Sequence, residues 1–257
     1  PQTIHNQVEL AGSISVGGQS LTLSDAGLTT ATAVTLAANS TLTIATGVEL
    51  DIAKSITDGA QTFSLVKAGS GTLTLGSSNR YTGTTTVNAG TLVVCALSIQ
   101  TATAGTSTDS LGNGGNLAAS VVIDGGVLQY VGAGGTTDRN FTIGTSGGTL
   151  TASGNGALVM NSTAAIGGTG VRNLVLNGSS TATNQLAAQL ALSTGTLTKS
   201  GPGTWGLTSA TSNYTGVTSI TDGVLEVTKL ANGGTASSIG SSTSTAANLV
   251  ISTGATL

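Results

Sequence analysis

Residues 67–94 read KAGSGTLTLGSSNRYTGTTTVNAGTLVV, and residues 199–227 read KSGPGTWGLTSATSNYTGVTSITDGVLEV. Lys67 aligns with Lys199 and Tyr81 with Tyr214, and the second copy has one extra residue between these anchors. Self-similarity at a long period, here about 132 residues, is typical of stacked arrays in which each unit buries its apolar face against its neighbours. The repetition therefore predicts an elongated scaffold rather than a compact pocket.

The duplication continues weakly beyond this core. SVVIDGGVLQY (120–130) follows the first copy and NLVISTGATL (248–257) follows the second, while residues 62–73 match residues 193–205. We interpret 1–257 as a single segment of a longer array. Residues 1–66 would be the tail of one unit, 67–198 a full unit and 199–257 the start of the next. Because the chain begins without Met and stops at Leu257 inside an expected strand, we expect it to be a piece of that array.

The composition favours strands over helices and over disorder. Charged residues make up 7% and aromatic residues 2% of the chain, Gly occurs 39 times, and the formal net charge is only −3. Disordered chains combine high net charge with few β-branched residues, whereas Val, Ile and Thr recur here throughout. Gly and β-branched residues are poor helix formers. A narrow aliphatic core is therefore expected.

Apolar and polar residues alternate with period two in short runs, as at Leu73 and Leu75 between Thr72 and Thr74. Such runs, bounded by Gly, Asn and Asp, predict short strands joined by turns. The pattern fits a parallel β-helix or an antiparallel sandwich or barrel array, and we favour the all-β, right-handed parallel β-helix. Coils of roughly 20 to 25 residues would give about eleven coils, and the repeat unit about six. Rungs stacked about 4.8 Å apart would form a rod on the order of 50 Å long.

The two copies share the pattern K-x-G-x-G-T-[LW]-x-L-x(4,6)-N-x-Y-T-G-x-T-x-[VI]-x-x-G-x-L-x-V. This pattern resembles the passenger-associated transport repeat of autotransporters, also called the autotransporter-associated β-strand repeat. In the first copy the matched residues include Lys67, Gly69, Gly71, Asn79, Tyr81 and Gly90, and in the second Lys199, Gly201, Gly203, Asn213, Tyr214 and Gly223. The resemblance implies a secreted bacterial β-helix exported across an outer membrane. It says nothing about the ligand.

The repeated residues suggest structural roles. Gly69 and Gly71 would supply positive φ or close backbone approach at a coil corner. Tyr81 and Tyr214 would each cover a coil edge with the ring while the hydroxyl stays in water. Lys67 and Lys199 precede the glycine turn and are expected to be solvated.

Few residues suggest chemistry. His5 is the one histidine and is expected at the surface, so a serine-type site lacks its base, and the His and Cys counts exclude a cluster of such ligands for a metal. Cys95 is expected to be a small buried hydrophobe. Gly201-Pro-Gly203-Thr-Trp-Gly206 with Glu226 matches a dinucleotide fingerprint, but the alternation after it predicts no helix. Residues 132–138 only loosely resemble a calcium-binding coil.

A glycan-cleaving β-helix is the main enzymatic alternative, and it needs converging carboxylates. Glu49 and Asp51 are the one pair whose spacing places both on one face of a strand. A glycan-binding cleft would instead expose Tyr81, Tyr130, Trp205 or Tyr214. Ten acidic residues are available: Glu9, Glu49, Asp25, Asp51, Asp58, Asp109, Asp124, Asp138, Asp222 and Glu226. Thr-x-Thr pairs such as Thr72/Thr74 and Thr149/Thr151 are too irregularly spaced for an ice-binding ladder.

We therefore predict a non-catalytic, extracellular β-helix that serves as an adhesin-type stalk or filament segment on a bacterial surface. A glycan-binding or glycan-cleaving passenger domain is the alternative. No catalytic, cofactor-binding or metal-binding residue is predicted, and no cofactor. Seven dispersed basic residues argue against nucleic acid. No uninterrupted apolar run is long enough for a membrane-spanning helix. We expect the chain to associate with itself through its coil ends, or to bind a surface glycan or another cell-surface ligand.

Overall fold

The computed structural model describes residues 1–25, 33–100 and 109–257. Within them the chain forms 25 short strands and two single-turn 3₁₀ helices, Ala118–Ser120 and Ala246–Asn248. All strand pairs in the four sheets are parallel, so each strand stacks on one from the preceding turn. The predicted parallel β-helix is confirmed.

The strands divide among four sheets. The long sheet holds β1 (Gln2–Ile4), β4 (Leu21–Leu23), β7 (Glu49–Ile52), β10 (Thr72–Leu75), β12 (Thr91–Val94), β14 (Val127–Tyr130), β17 (Gly148–Ala152), β19 (Leu174–Asn177), β21 (Leu197–Lys199), β23 (Thr218–Ile220) and β25 (Leu249–Ile251). The six-stranded sheet holds β3 (Ser13–Val16), β6 (Ser40–Ile44), β9 (Leu65–Ala68), β11 (Thr85–Val87), β13 (Val121–Ile123) and β16 (Thr142–Ile143).

The remaining strands complete the turns in two shorter sheets. The three-stranded sheet holds β2 (Val8–Leu10), β5 (Val34–Leu36) and β8 (Ile56–Thr57). The five-stranded sheet holds β15 (Gly135–Thr137), β18 (Leu158–Met160), β20 (Asn184–Leu186), β22 (Thr204–Leu207) and β24 (Val224–Val227). A typical turn, such as β13 to β15, takes one strand from the six-stranded sheet, one from the long sheet and one from a shorter sheet.

The solenoid has slightly fewer turns than the eleven that were predicted. In the described residues the long sheet has 11 strands, but the first and last belong to incomplete turns, which leaves about nine. The coil length also varies more than expected. Leu73 pairs with Leu92 and Leu92 pairs with Leu128, so the second of these two coils is nearly twice as long as the first. Corners of variable length explain the difference, because they lengthen a coil without changing its strands.

The core consists of aliphatic columns that run along the axis. In the long sheet, inward-facing leucines stack on each other in register from one turn to the next: Leu50, Leu73, Leu92, Leu128, Leu150 and Leu176. All are at most 5% exposed. Because successive side chains on a strand point to opposite faces, the intervening threonines and valines face outward. Each buried leucine contributes roughly 1.5–3 kcal/mol of hydrophobic stabilisation.

The two repeat copies lie on different sheets. In the first copy the motif passes from β9 in the six-stranded sheet to β10 in the long sheet. In the second copy it passes from β21 in the long sheet to β22 in the five-stranded sheet. Along the long sheet, β10 is separated from β21 by five rungs, so the repeat spans five turns and one further side. The prediction of about six turns per unit was close. It did not include the extra side, by which the second copy is rotated about the solenoid axis relative to the first.

No helix among the described residues is long and apolar enough to span a membrane.

Candidate functional site

The repeat motif builds the same local structure twice, and its lysines face the interior. Lys67 stacks between Leu42 and Val87, and Lys199 between Leu176 and Ile220. Both lysines are at most 1% exposed. The prediction that they are solvated was wrong, because each lies two residues after an inward leucine on the same strand. Strand parity alone would have placed them inside.

Each lysine ammonium is held by backbone carbonyls. The Lys67 Nζ donates to the carbonyls of Ala68 at 3.0 Å, Gly69 at 2.7 Å and Ala89 at 3.0 Å. In the second copy the Lys199 Nζ donates to Ser200 at 3.0 Å, Gly201 at 2.7 Å and Asp222 at 2.9 Å. The third carbonyl in each set belongs to the next turn. Each lysine therefore joins two consecutive coils, and we call each such arrangement a lysine staple.

Glycines leave room for the staples. Gly90 has φ +64° and Gly223 has φ +67°, a left-handed conformation that favours glycine. A Cβ atom at either position would lie 2.8 Å from the staple Nζ. Gly69, with φ +71°, turns the corner that follows Lys67, as predicted.

Burial changes the acidity of these lysines. Desolvation lowers the pKa of Lys67 from 10.5 to about 8. Desolvation also lowers the pKa of Lys199, and the Asp222 carboxylate partly opposes that shift. The carbonyl dipoles satisfy the three donors of each ammonium, which is the condition for keeping a cation in an aliphatic column.

The tyrosine of each copy is also buried. Tyr81 and Tyr214 are both fully buried. The Tyr81 hydroxyl bonds Thr85 Oγ1 at 2.7 Å, and the Tyr214 hydroxyl bonds Thr218 Oγ1 at 2.6 Å. Burial raises the pKa of both phenols. The prediction of hydroxyls in contact with water was wrong, because a threonine four residues further on supplies the partner.

A tripeptide loop after each repeat copy completes this tyrosine network, and that loop was not predicted from the sequence. Thr85 Oγ1 donates to the carbonyl of Leu111, and Thr218 Oγ1 donates to that of Ile239, both at 3.3 Å. These residues lie in Ser110-Leu111-Gly112 and Ser238-Ile239-Gly240, which follow the two copies. The shared sequence pattern S-[LI]-G was the signal that would have identified the loop.

The asparagine assignment in the second copy needs correction. The Asn79 side chain accepts a hydrogen bond from the Ile56 amide at 2.8 Å. The equivalent acceptor in the second copy is Ser212 Oγ, bonded to the Leu190 amide at 3.1 Å, whereas the matched Asn213 is exposed. Ser212 lies two residues before Tyr214, as Asn79 lies two before Tyr81. Spacing from the tyrosine was therefore the correct guide.

The first copy carries a buried ion pair that the second lacks. Arg139 Nε lies 3.1 Å from Asp109 Oδ2, and both side chains are at most 2% exposed. Asp109 also accepts hydrogen bonds from the Leu111 amide and from Gln100 Nε2. Desolvation raises the pKa of Asp109, and Arg139 opposes that shift. Ser237 stands at the equivalent position of the second copy, next to Ser238-Ile239-Gly240.

The proposed acid pair lies on one outward face of β7. Glu49 is exposed and Asp51 half-buried. Burial, with a smaller contribution from Glu49, raises the pKa of Asp51. Glu49 Oε1 accepts a hydrogen bond from Thr74 Oγ1 at 2.8 Å. Asp58 and Asp109 are buried away from solvent, so they do not extend this pair into a surface cluster of acids.

The aromatic cleft expected for a glycan-binding protein is contradicted. Tyr81, Tyr130, Trp205 and Tyr214 are at most 1% exposed, because each faces the interior of the solenoid. Trp205 Nε1 donates to the Asn177 carbonyl at 2.9 Å inside the coil.

The outward threonines form mixed columns with valine. On the long sheet one column carries no charge over eight rungs: Thr72, Thr91, Val127, Thr149, Val175, Thr198, Ser219 and Val250. Valine interrupts the threonines irregularly. This column is therefore uncharged from β10 to β25, without a regular hydroxyl lattice, whereas the adjoining strand β7 carries Glu49 and Asp51 on the same face.

The other singled-out residues occupy structural positions. His5 is half-buried, and its ring Nδ1 lies 2.9 Å from the Ser24 carbonyl. Cys95 is half-buried rather than buried, and desolvation raises the pKa of its thiol. A strand, β22, directly follows the start of the Gly201–Gly206 motif. Across the described ranges no three His, Cys, Asp or Glu residues group in a way that could hold a metal ion.

Comparison with known proteins identifies the repeat. The model of the passenger-associated transport repeat matches residues 65–94 and 197–227, the two staple-bearing segments. The chain is also 41% identical over 256 residues to the adhesin BmaC autotransporter of Brucella suis biovar 1 (strain 1330). The chain belongs to the autotransporter passenger-repeat family. No solved structure matches it.

The two matches differ in extent. The match to the Brucella adhesin covers 96% of this chain but only 7% of that protein, so the chain spans a small part of its relative. The repeat model covers the segments that contain Lys67 and Lys199, and it ends before the S-[LI]-G loops. The loops therefore lie outside the segments that the repeat model matches.

Proposed function

We propose that this chain is a non-catalytic, adhesin-type segment of a secreted or cell-surface passenger rod. The observation that carries the proposal is the 41% identity, across 96% of the chain, to a protein named as an adhesin. The solenoid supports it, because stacked coils form an extended scaffold with large lateral surfaces and loops at the corners.

The geometry of the long sheet supports the stalk role. Ten rung steps of about 4.8 Å give a rod on the order of 50 Å for this segment alone. The lysine staples join consecutive coils, which favours a stiff rod over a flexible tether. Association through coil ends stays a prediction, and negative-stain electron microscopy of the chain tests it by distinguishing discrete rods from continuous fibres.

A glycan-cleaving activity has less support. Retaining glycosidases hold two carboxyl groups about 5 Å apart around the scissile bond, with a binding cleft for the sugar. Glu49 and Asp51 share a flat face, and Thr74 already engages Glu49. The substitutions Glu49→Gln and Asp51→Asn are therefore expected to leave the function of the chain unchanged.

Adhesion of coated beads tests the proposal. Fluorescent beads carrying the folded chain would be compared with beads carrying the urea-denatured chain, on cultured cells and on immobilised extracellular proteins. We expect saturable attachment of the folded-chain beads that soluble chain competes away. Attachment equal to that of the denatured-chain beads on every surface would overturn the proposal. Release of reducing sugar from polysaccharide, lost in Glu49→Gln, would overturn its non-catalytic part.

A further inference from the structure

Gly206 lies in the middle of β22 without a structural reason for being glycine. Its φ is not in the left-handed region, and a Cβ atom there would meet its nearest neighbours at ordinary contact distances of 3.6 to 3.9 Å. The first repeat copy has Thr74 at this position. Glycine inside a strand weakens it and often marks a place where a ligand or another chain approaches closely.

The missing side chain leaves a notch in the outward face of the five-stranded sheet. Gly206 pairs with Gln185 of the preceding turn and Glu226 of the next. The notch has a volume of about 160 Å³ and is also bordered by Thr183, Thr208 and Thr228. That volume is below the roughly 300–1,000 Å³ of small-ligand pockets, so the notch suits one side chain rather than a whole small molecule.

The charged group at the rim of the notch is a carboxylate, and the other polar groups there are neutral. Glu226 is exposed, and no cation among the described residues lies within ion-pair distance of it. Glu49 on β7 differs, because Thr74 donates a hydrogen bond to it. The other polar groups of the notch are an amide and hydroxyls. An anionic ligand would find no positive charge here.

The charged side chains on the rest of the surface also favour a cationic partner. Five of the seven basic side chains are buried: Lys54, Lys67, Arg139, Arg172 and Lys199. Only Arg80 and Lys229 are exposed, against the exposed acids Glu9, Glu49, Asp222 and Glu226. Among the exposed charged side chains, acids thus outnumber bases by four to two. Such a surface steers positively charged partners towards it.

We propose that the notch at Gly206 receives a basic side chain, lysine or arginine, of a protein partner. The Cγ2 of Thr183 and the Cγ of Gln185, which would lie 3.6 and 3.9 Å from a Cβ atom at position 206, offer apolar surface for its methylene stem. Its charged end lies against the Glu226 carboxylate, with Gln185 and threonine oxygens as further acceptors. The inference rests on the proposed adhesin-type function and names the chemistry of its partner.

Nuclear magnetic resonance on the ¹⁵N-labelled chain of 257 residues tests this binding. The probe is acetyl-Gly-Arg-Gly-amide, titrated into the millimolar range, with acetyl-Gly-Gln-Gly-amide as the uncharged control. We expect saturable shifts at the amides of Gly206 and its neighbours with the arginine peptide only. High salt should weaken them, because the contact is with an exposed carboxylate.

Two variants and a control separate the notch from general charge. Gly206→Thr restores the residue of the first copy and fills the notch, and Glu226→Gln removes the charge, so each should weaken binding at least tenfold. Asp222→Asn removes an exposed carboxylate at the neighbouring corner and should change binding less than twofold. Unchanged midpoints of urea unfolding confirm that the variants fold.

Absence of saturable shifts at Gly206, full binding by Gly206→Thr, or equal loss in Asp222→Asn would each overturn the inference. Bead adhesion by the unmodified chain distinguishes this failure from failure of the proposed function. If beads of Gly206→Thr adhere as well as those of the parent chain, the adhesin-type function stands and the notch is not its site.

Discussion

At the scale of single residues, the repeat joins consecutive coils through a lysine that lies in an aliphatic column. A buried ammonium is costly unless its donors are satisfied. Lys67 and Lys199 meet this condition with three carbonyls each, and one carbonyl of each set lies on the next turn. The hydrogen-bond distances around the two Nζ atoms are nearly identical, which indicates that the motif encodes the staple.

Substitution Lys67→Met should destabilise the chain by about 2–3 kcal/mol, because it leaves three buried carbonyls without this donor while keeping the apolar bulk. Urea unfolding followed by circular dichroism measures the loss. Hydrogen exchange should locate it at β9 and β11. The exposed Lys229→Met is the control, with an expected change within about 0.5 kcal/mol. Equal effects of the two substitutions would contradict the staple.

The staple also gives stability a defined pH dependence. The folded pKa of Lys67 is about 8, below its ordinary value of 10.5. Between these values the unfolded chain binds more protons at this site, so stability rises with pH there. Burial raises the pKa of Tyr81 and Tyr214, so above about pH 10 the folded chain keeps protons that the unfolded chain loses, and stability falls.

Thermal melting at constant ionic strength checks this profile. We expect Tm to rise from about pH 7.5 to 9.5 and to fall beyond about pH 10.5. In Lys67→Met the rise should be smaller but not absent, because Lys199 still titrates. A Tm that decreases steadily over the lower of these two ranges in the unsubstituted chain would be incompatible with lysines buried as described.

At the scale of strands and loops, the tyrosine joins a strand to the loop that follows its copy. Tyr214 bonds Thr218 on β23, and Thr218 bonds the Ile239 carbonyl in the S-[LI]-G loop. Tyr214→Phe alone should cost about 1 kcal/mol, since it leaves the buried threonine hydroxyl with fewer partners. The double variant with Thr218→Val should cost less than the sum of the two single changes. Unfolding midpoints of the four proteins give the coupling energy, and simple additivity would show that no such network exists.

The ion pair of Arg139 and Asp109 anchors the corresponding loop of the first copy. Arg139→Met should destabilise the chain by about 3 kcal/mol or more, because it leaves a buried carboxylate uncompensated. Hydrogen exchange should show the loss at residues 109–116. The exposed Arg80→Met serves as the matched control and should be nearly neutral. Protection at 109–116 that is unchanged in Arg139→Met would contradict this role.

Period-two alternation predicted the strands, because it reports directly which side chains face the core, but it left parallel and antiparallel arrays open. The same alternation places Lys67 and Lys199 inward, but because they are charged they were predicted to be solvated. The carbonyl ring that holds them consists of backbone atoms, which have no signature in side-chain patterns. The Tyr81 partner was similarly hidden, because Thr85 lies across a corner whose geometry the sequence does not specify.

The notch at Gly206 also escaped prediction from the sequence. In a chain with 39 glycines, one more glycine carries no signal. Only the structure shows that this one lacks a conformational or packing reason, while Gly90 and Gly223 have both. Its setting between Gln185 and Glu226 depends on which strands stack on each other in successive turns, and periodicity does not resolve that stacking.

At the scale of the whole molecule, the chain is one continuous stack in which successive repeats rotate by one side. Five turns and one side separate Lys67 from Lys199, so equivalent surfaces of the two copies face different directions. Stability in such a stack is roughly a sum of nearest-neighbour terms, and the two staples couple consecutive turns at two places along it. A stiff rod of this kind fits the adhesin-type role that we propose for the segment.

A spin-label distance tests this central claim most directly. Thr72 and Ser219 face outward in one column of the long sheet and are separated by six rungs. With Cys95 replaced by Ser and cysteines introduced at these two positions, double electron–electron resonance should give a single narrow distance of about 29 Å, from six steps of about 4.8 Å. A broad distribution, or a distance far above that value, would show that the two repeat copies do not belong to one continuous stack.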